Sequence, residues 1–243
     1  MPEITRRTRS APNHESLVIS RPSRWQSWLP LIPIFTVISL LATAALLITS
    51  RASGRNVLTI DVTVGRWIQS ADVPFGSLIA TIGNAAGSTA ISVSVALSAI
   101  GIALLTRRWV DVVFLVALFA ARGLNTPLKA VSDSPRPSST FLSVTEFARG
   151  YGFPSGHSMS ILLVAGGLAY IVGVTLPSWR WRLVPTTAAV LVILATGYGR
   201  VHAGAHWPTD VIGGFLWGSI LLLLAISLHH LLTCHASAKR AAS

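Results

Sequence analysis

The chain has 243 residues, of which 51% are hydrophobic and only 11% are charged, and its mean hydropathy is +0.63. Because soluble domains carry about 25% charged residues, this composition excludes an ordinary soluble domain and indicates a membrane protein with several spans. The formal net charge of +11 would also suit nucleic acid, but the arginines lie in tails and short loops rather than in one basic patch. We therefore predict membrane lipids, and no nucleic acid, as partners.

Six apolar segments are long enough for transmembrane helices, which need about 20 residues each. We place them at residues 29–49, 86–106, 109–128, 158–176, 183–199 and 210–232. They predict an all-α, polytopic membrane bundle in three parts: an N-terminal tail over 1–27, a six-span domain over 28–233 and a C-terminal tail over 234–243. The first tail is polar, and we expect it to be disordered. Between the first two spans, residues 61–74 predict either a short interfacial helix or an ordered connecting loop.

Positive charges near the ends of the spans predict how the bundle is oriented. With a cytoplasmic N-terminus, that side carries eleven lysines and arginines and the opposite side carries seven. The cytoplasmic set is Arg6, Arg7, Arg9, Arg21, Arg24, Arg107, Arg108, Arg180, Arg182, Lys239 and Arg240. The opposite set is Arg51, Arg55, Arg66, Lys129, Arg136, Arg149 and Arg200. Three of these seven belong to the motifs below, so we predict a cell-membrane protein with both termini cytoplasmic and the motifs on the exterior or periplasmic face.

The stretch Arg200-VHAGA-His206-WPT-Asp210 places a histidine four residues before an aspartate, at the start of the sixth span. Pro208 suits the first turn of a helix, which places His206 just before that helix and Asp210 inside its first turn. Asp210 can then accept a hydrogen bond from one ring nitrogen of His206, which leaves the lone pair of the other nitrogen free to attack. An aspartate in a first turn is also ordinary helix capping, so this spacing leaves both interpretations open.

The sequence Pro154-Ser155-Gly156-His157 precedes the fourth span. Ser155 suits the N-cap of that helix, and Gly156 allows a ligand to approach the backbone closely. Free N–H groups at a helix start attract anions, so His157 would lie beside a bound phosphate whose charge favours the imidazolium form. An imidazolium can protonate a leaving oxygen as a general acid. The alternative is a capped helix that carries an interfacial histidine.

Lys129, Arg136 and Arg200 would supply positive charge for phosphoryl transfer, in which negative charge spreads over the equatorial oxygens. Arginine binds such oxygens through two N–H groups, and lysine acts as a point charge. The alternative for each is a snorkelling or headgroup-binding cation. Arg122 lies on the same helical stripe as Lys129, deeper in the membrane. We expect Arg122 to contact and position the residues that bind phosphate, to snorkel to the membrane surface or to form a structural ion pair.

The three motifs KAVSDSPRP, PSGH and GRVHAGAHWPTD cover residues 129–210. In this order and spacing they resemble the signature of the type-2 phosphatidic acid phosphatase superfamily, the membrane lipid phosphate phosphatases. The resemblance implies the helical core of acid phosphatases and vanadium haloperoxidases. It also implies that His206 forms a phosphohistidine, that Asp210 orients it and that His157 protonates the leaving group. The phosphoryl oxygens would be held by Lys129, Arg136, Ser155, Gly156 and Arg200. Gly199 stands where the family has serine, and the missing hydroxyl would weaken one oxygen contact; His202 is a further base without an assigned role.

The resemblance implies a metal-independent enzyme without a cofactor, and the sequence has no compact Cys/His/Asp cluster that suggests a metal site. We expect an integral membrane phosphatase that acts on a polyprenyl diphosphate, phosphatidate or phosphatidylglycerophosphate. A lipid phosphotransferase with the same phosphohistidine chemistry stays open, and so does a non-catalytic lipid-phosphate binding or transport protein. Vanadate-dependent haloperoxidases share the constellation, but their soluble domains do not fit six apolar spans. The motifs encode neither the identity of the lipid nor the oligomeric state.

Overall fold

The computed structural model describes residues 32–54 and 57–241, and every regular element in these ranges is helical. The helices are α1 Ile32–Ala52, α2 Thr59–Ser70, α3 Gly76–Gly87, α4 Thr89–Leu105, α5 Trp109–Ala121, α6 Asn125–Ser132, α7 Gly156–Thr175, α8 Trp179–His202 and α9 Pro208–Arg240. The predicted all-α class is therefore confirmed for this part of the chain. The predicted tail over 1–27 lies outside the described residues.

Five helical segments of the described ranges are long and apolar enough to cross a membrane, and a sixth is obtained if α3 and α4 form one span. These two helices meet at an angle of 55°. Ser88 lies at the bend and caps α4, because its hydroxyl oxygen accepts a hydrogen bond from the backbone N–H of Ile91 at 3.4 Å. The sequence predicted α4 alone as the second span. The predicted count of six is therefore reached only if α3 and α4 are counted together as one span. The helix α9 also continues beyond residue 232 into the segment that we had assigned to the C-terminal tail.

The third predicted span, over 109–128, corresponds to one apolar segment, Trp109–Ser132, which is long enough to cross a membrane but contains an irregular turn. The helices α5 and α6 are joined by a single 3-10 turn, Arg122–Leu124. Pro127 provides the physical reason, since it lacks the N–H that would bond to the carbonyl of Gly123 in an α-helix. Arg122 is the first residue of this turn, and its Nε donates to the hydroxyl of Ser160 on α7 at 3.1 Å.

The bundle is centred on α7, which packs against α8 and α9, while α3 covers α8 and α1 covers α9. A buried apolar cluster that includes Phe114, Leu118, Met159, Leu163 and Ala225 joins α5, α7 and α9. On the outside of the bundle, large apolar side chains are exposed, as a lipid-facing surface requires. The multi-pass arrangement predicted from composition therefore agrees with where the apolar side chains lie.

The segment between the first two spans is helical over α2, so the helix alternative for residues 61–74 is confirmed. Asp61 is buried at its start and accepts hydrogen bonds from the backbone N–H and the hydroxyl of Thr209, at 2.9 and 2.7 Å. Near its other end, the side chain of Gln69 bonds to the backbone N–H and carbonyl of Ser143, at 2.9 and 2.7 Å. These contacts attach α2 to the start of α9 and to the long loop over 133–155.

Candidate active site

The three sequence motifs meet at one end of the bundle, where α6 and α8 end and α7 and α9 begin. The backbone N–H of Ser155 donates to the carbonyl of Asp210 at 2.9 Å, which joins the second motif to the third. The Arg136 Nη1 donates to the carbonyl of Ala205 at 2.8 Å, which joins the first motif to the third. Residues that are far apart in sequence are thus held together by direct hydrogen bonds.

The side chains of His206 and Asp210 are bonded as the spacing predicted. The Nδ1 of His206 lies 3.1 Å from Oδ2 of Asp210, and the two residues are 2% and 0% exposed. The same Oδ2 also accepts a hydrogen bond from the backbone N–H of Trp207 at 3.0 Å. Asp210 therefore caps α9 and bonds to the imidazole at the same time, so both hydrogen bonds that this spacing predicts are present.

The second nitrogen of His206 contacts Arg136. The distance from Nε2 to Arg136 Nη1 is 3.2 Å. Because a guanidinium can only donate hydrogen bonds, Nε2 is the acceptor and the ring proton is on Nδ1, facing Asp210. Burial, followed by the positive charges of Arg136, Lys129 and Arg200, holds the pKa of His206 well below its usual range. At neutral pH, His206 is consequently a neutral imidazole whose Nε2 lone pair points at the cationic side of the site.

Lys129 and Arg136 also make contacts with the backbone that the sequence did not predict. The Nζ of Lys129 donates to the carbonyls of Tyr151 and Gly152, at 2.7 and 3.1 Å. The Nε of Arg136 donates to the carbonyl of Gly150 at 2.9 Å. Both cations therefore fold the loop just before the second motif over the site. Lysine carries three N–H donors and arginine five, so both retain donors for a ligand.

Arg200 is paired with a residue that we did not predict as part of the site. Its side chain is almost fully buried, and its Nη1 lies 2.8 and 2.7 Å from the two carboxylate oxygens of Glu146. The Nε of Arg200 is also buried and has no acceptor within the described part of the chain. The sequence has only eight acidic residues, and Glu146 is the only one of them between the first motif, which ends at Pro137, and the second. That scarcity was the signal that could have identified a counterion for Arg200.

Ser155 and Gly156 form the start of α7. The hydroxyl oxygen of Ser155 accepts a hydrogen bond from the backbone N–H of Ser158 at 3.4 Å, so the predicted N-cap is confirmed. A Cβ at Gly156 would lie 3.0 Å from Oδ1 of Asn125 on α6. Glycine at this position therefore allows α6, which carries Lys129, to approach the start of α7 closely. We expected this glycine to admit a ligand, and the structure shows a protein neighbour on this side of it.

His157 is half-buried in the first turn of α7, and within the residues that the structure describes its ring has no hydrogen-bond partner. It packs beside the bend between α3 and α4, since a Cβ at Gly87 would lie 3.2 Å from its Cβ and 3.3 Å from its Cδ2. Its imidazole is therefore available to a ligand, whereas that of His206 is held on both sides.

Gly199, where the resembling family has serine, lies against α3. A Cβ at this position would be 2.6 Å from the carbonyl oxygen of Ala80 and 2.9 Å from Oδ1 of Asn84. A serine does not fit here unless α3 moves. Asn84 itself lies 3.5 Å from Nη1 of Arg200, so an amide from α3 reaches the position beside that cation. We missed Asn84 because we did not predict α3 as a helix.

The roles of Arg122 and His202 were left open by the sequence, and the structure shows contacts of both outside the motifs. Arg122 lies 5.7 Å from the ring centre of Phe119, and over residues 32–54 and 57–241 it forms no ion pair, so the ion-pair alternative is not observed. The ring of His202 lies 5.4 Å from that of Tyr198, and its carbonyl accepts a hydrogen bond from Gln69. In the same ranges, no three His, Cys, Asp or Glu side chains are grouped as ligands for a metal ion.

Two curated relatives carry informative names. The undecaprenyl-diphosphatase of Sulfolobus acidocaldarius is 36% identical over 78 residues, which are 32% of this chain and 34% of the relative. The phosphatidylglycerophosphatase B of Bacillus subtilis is 33% identical over 120 residues, 49% of this chain and 57% of the relative. The matches therefore span about a third of the first relative and somewhat more than half of the second.

Two solved structures have a similar fold. The transmembrane PAP2-type phosphatidylglycerolphosphate phosphatase of Bacillus subtilis matches with a TM-score of 0.68 and 23% identity, over 78% of this chain and 94% of the other. LpxE of Aquifex aeolicus matches with a TM-score of 0.54 and 23% identity, over 70% of this chain and 96% of the other. The family model described as the PAP2 superfamily matches residues 111–234, slightly more than half of the chain. The chain therefore belongs to the PAP2 superfamily.

Proposed function

We propose that this protein is an integral membrane phosphatase that removes phosphate from a lipid phosphate or diphosphate through a phosphohistidine on His206. The observation that carries the proposal is the buried, neutral His206, whose Nδ1 proton is bonded to Asp210 and whose Nε2 lone pair faces Arg136. Such an arrangement suits a histidine nucleophile, because Nδ1 is fixed as a donor and Nε2 keeps its lone pair, which can attack once the Arg136 donor turns from Nε2 to a phosphoryl oxygen.

In the first step, the Nε2 lone pair of His206 forms a bond to phosphorus while the bond between phosphorus and the lipid oxygen breaks. His157 gives a proton to that leaving oxygen, and the lipid product departs. Lys129, Arg136 and Arg200, together with the α7 start at Ser155 and Gly156, hold the three equatorial oxygens as their charge spreads. In the second step, water attacks the phosphohistidine, His157 accepts a proton from the water, and inorganic phosphate leaves with the lone pair restored to Nε2.

The contacts of Arg200 support an anionic phosphoryl group at this position. Glu146 already places a carboxylate on Nη1 of Arg200, so the site accepts an anion there. The buried Nε of Arg200 has no acceptor among the described residues, and a phosphoryl oxygen would supply one. A lipid phosphate would therefore displace the carboxylate of Glu146 and satisfy a donor that the protein itself leaves unpaired.

The substrate class draws on the names of the relatives, one an undecaprenyl-diphosphatase and one a phosphatidylglycerophosphatase. Polyprenyl diphosphate and phosphatidylglycerophosphate are accordingly the first candidate substrates, followed by phosphatidate. We infer that the site faces the exterior or periplasm, because the lysines and arginines outside the motifs concentrate at the opposite ends of the predicted spans. The proposed chemistry needs no metal ion, since protein cations hold the phosphoryl oxygens.

The test is phosphate release by the purified full-length protein from these three lipids in the presence of EDTA. His206→Ala should abolish release, while His202→Ala, which removes a nearby ring that the mechanism does not use, should retain it. Phosphate release without an added acceptor alcohol distinguishes hydrolysis from phosphotransfer. Wild-type turnover by His206→Ala would refute the phosphohistidine, and complete loss of activity in EDTA would refute the metal-free mechanism.

The orientation has its own test in intact cells, with a membrane-impermeant maleimide. A cysteine introduced by Ser139→Cys lies on the exposed loop beside the site, whereas the native Cys234 is exposed near the other end of the bundle. The reagent should label the introduced cysteine and leave Cys234 unlabelled until the cells are permeabilised. Labelling of Cys234 alone in intact cells would place the site on the cytoplasmic face.

A further inference from the structure

A second cavity lies at the end of the bundle opposite the proposed active site. It has a volume of about 740 Å³ and lies between the α4–α5 turn, α5, α7 and α9. Tyr170 on α7 and His229 on α9 line it. At a rise of 1.5 Å per residue, they lie roughly 20 Å beyond His157 and roughly 28 Å beyond Asp210 along their helices. This cavity is therefore separate from the phosphate site described above.

A buried hydrogen-bond network forms the inner wall of the cavity. The Nε2 of His229 lies 2.8 Å from Oδ1 of Asp111, and its Nδ1 lies 3.0 Å from the hydroxyl of Tyr170. The second carboxylate oxygen of Asp111 forms an ion pair with Nε of Arg108. These contacts tie three helices together and occupy both oxygens of Asp111. The negative charge of Asp111 is consequently already compensated by groups of the protein.

The outer wall carries arginine N–H groups that have no acceptor among the described residues. Arg107 also lines the cavity, and Asp111 is the only carboxylate in the described part of its lining. Among the described residues, the guanidinium of Arg107 has no hydrogen-bond or ion-pair partner, and Arg108 uses only its Nε. Arg107 also has a left-handed backbone, with φ of 55°, two residues after the end of α4. A position that usually favours glycine thus carries an arginine whose donors face an open cavity.

The remaining lining is apolar, and this distinguishes a lipid from a free anion. Trp109 and Val174 border the same cavity, and Trp109 is 63% exposed. Tryptophan is enriched at the depth of the headgroups, and basic pockets between transmembrane helices bind anionic headgroups. We propose that this cavity is a binding site for an anionic phospholipid, with its phosphate held by Arg107 and Arg108 and its chains along Trp109 and Val174. The proposal does not depend on the proposed catalytic function.

The test measures the melting temperature of the full-length protein in detergent during titration with dioleoylphosphatidylglycerol, dioleoylphosphatidylcholine or inorganic phosphate. Phosphatidylglycerol should stabilise the wild type more than phosphatidylcholine does. Arg107→Gln should weaken the apparent affinity for phosphatidylglycerol about fivefold, and the double variant with Arg108→Gln about thirtyfold, as expected for one or two cations near a headgroup. The matched control is Arg180→Gln, which removes one charge from the same end of the bundle outside the cavity.

Arg107 has no partner within the described ranges, so its replacement leaves the Asp111 network intact. The single variant therefore tests the proposal even if the double variant does not fold. Equal affinities of the wild type and Arg107→Gln would overturn the proposal. An equal loss in Arg180→Gln would overturn it as well, since diffuse surface charge would then account for the binding. Stabilisation by inorganic phosphate at the same concentrations, lost in Arg107→Gln, would overturn the lipid as the ligand and assign the cavity to a soluble anion.

Discussion

The carboxylate of Glu146 is bonded to Nη1 of Arg200, a group that we propose as a ligand of the phosphoryl oxygens. We therefore predict that Glu146 competes with phosphate for Arg200. Both of its oxygens lie within 2.8 Å of Nη1 of Arg200, whose side chain is 1% exposed. The side chain of Glu146 is 43% exposed, so solvent screens its half of the ion pair. Glu146→Gln keeps the shape of the side chain and removes its charge, which isolates this competition.

The magnitude follows from the exposure of the two partners. A hydrogen bond to a charged group contributes about 1.5–3 kcal/mol, whereas an exposed ion pair contributes only about 0–1 kcal/mol. With the guanidinium buried and the carboxylate nearly half exposed, we expect about 1 kcal/mol for this pair. That free energy corresponds to about a fivefold change in an equilibrium constant. Glu146→Gln should therefore bind a phosphate-like anion about fivefold more tightly.

The assay is competitive inhibition of phosphate release by orthovanadate, at pH 7 and constant ionic strength. Asp133→Asn is the matched control, because it removes one charge from the same loop and Asn tolerates the left-handed backbone at this position, where φ is 46°. Its inhibition constant should remain close to that of the wild type. Weaker inhibition of Glu146→Gln would refute the reasoning, since the carboxylate would then orient Arg200 for the anion instead of competing with it.

Three other predictions concern the nucleophile and the packing of α3. Asp210→Asn should slow phosphohistidine formation about a thousandfold in single-turnover experiments, because a neutral amide stabilises the positive charge that develops on the histidine ring less than a carboxylate does, while its oxygen still caps α9 and preserves the melting temperature. The pKa of His206 is lowered on folding, so the unfolded chain binds a proton that the native state does not, and stability should fall as the pH decreases below about 6.5. His206→Gln should show a smaller loss of melting temperature between pH 7 and 5, and an unchanged slope would contradict the shifted pKa. Gly199→Ser should lower stability by about 1–3 kcal/mol because it overpacks α3, whereas Gly101→Ser, with no atom within 4 Å of the added Cβ, should be nearly neutral in thermal unfolding.

The sequence determined those features that depend on residues close together in the chain. Apolar segment length gave the all-α class and the positions of most spans. The N-cap at Ser155 and the bond between His206 and Asp210 were predicted correctly, because a helix start fixes which neighbours three or four residues apart can meet. The third span was predicted correctly, and the 3-10 turn within it is also a local feature, because Pro127 lacks the N–H that would bond to the carbonyl of Gly123.

Tertiary structure decided every feature that depends on contacts between distant segments. Glu146 becomes the partner of Arg200 only because the loop over 133–155 is folded back by the hydrogen bonds of Lys129 and Arg136. Likewise, Asn84 reaches the site only because α3 packs against α8 closely enough to require glycine at position 199. Sequence spacing carries no information about such approaches, since the backbones that meet are separated by whole helices. The contact between His206 and Asp210 could therefore be predicted from the sequence, whereas the pairing of Arg200 with Glu146 required the three-dimensional structure.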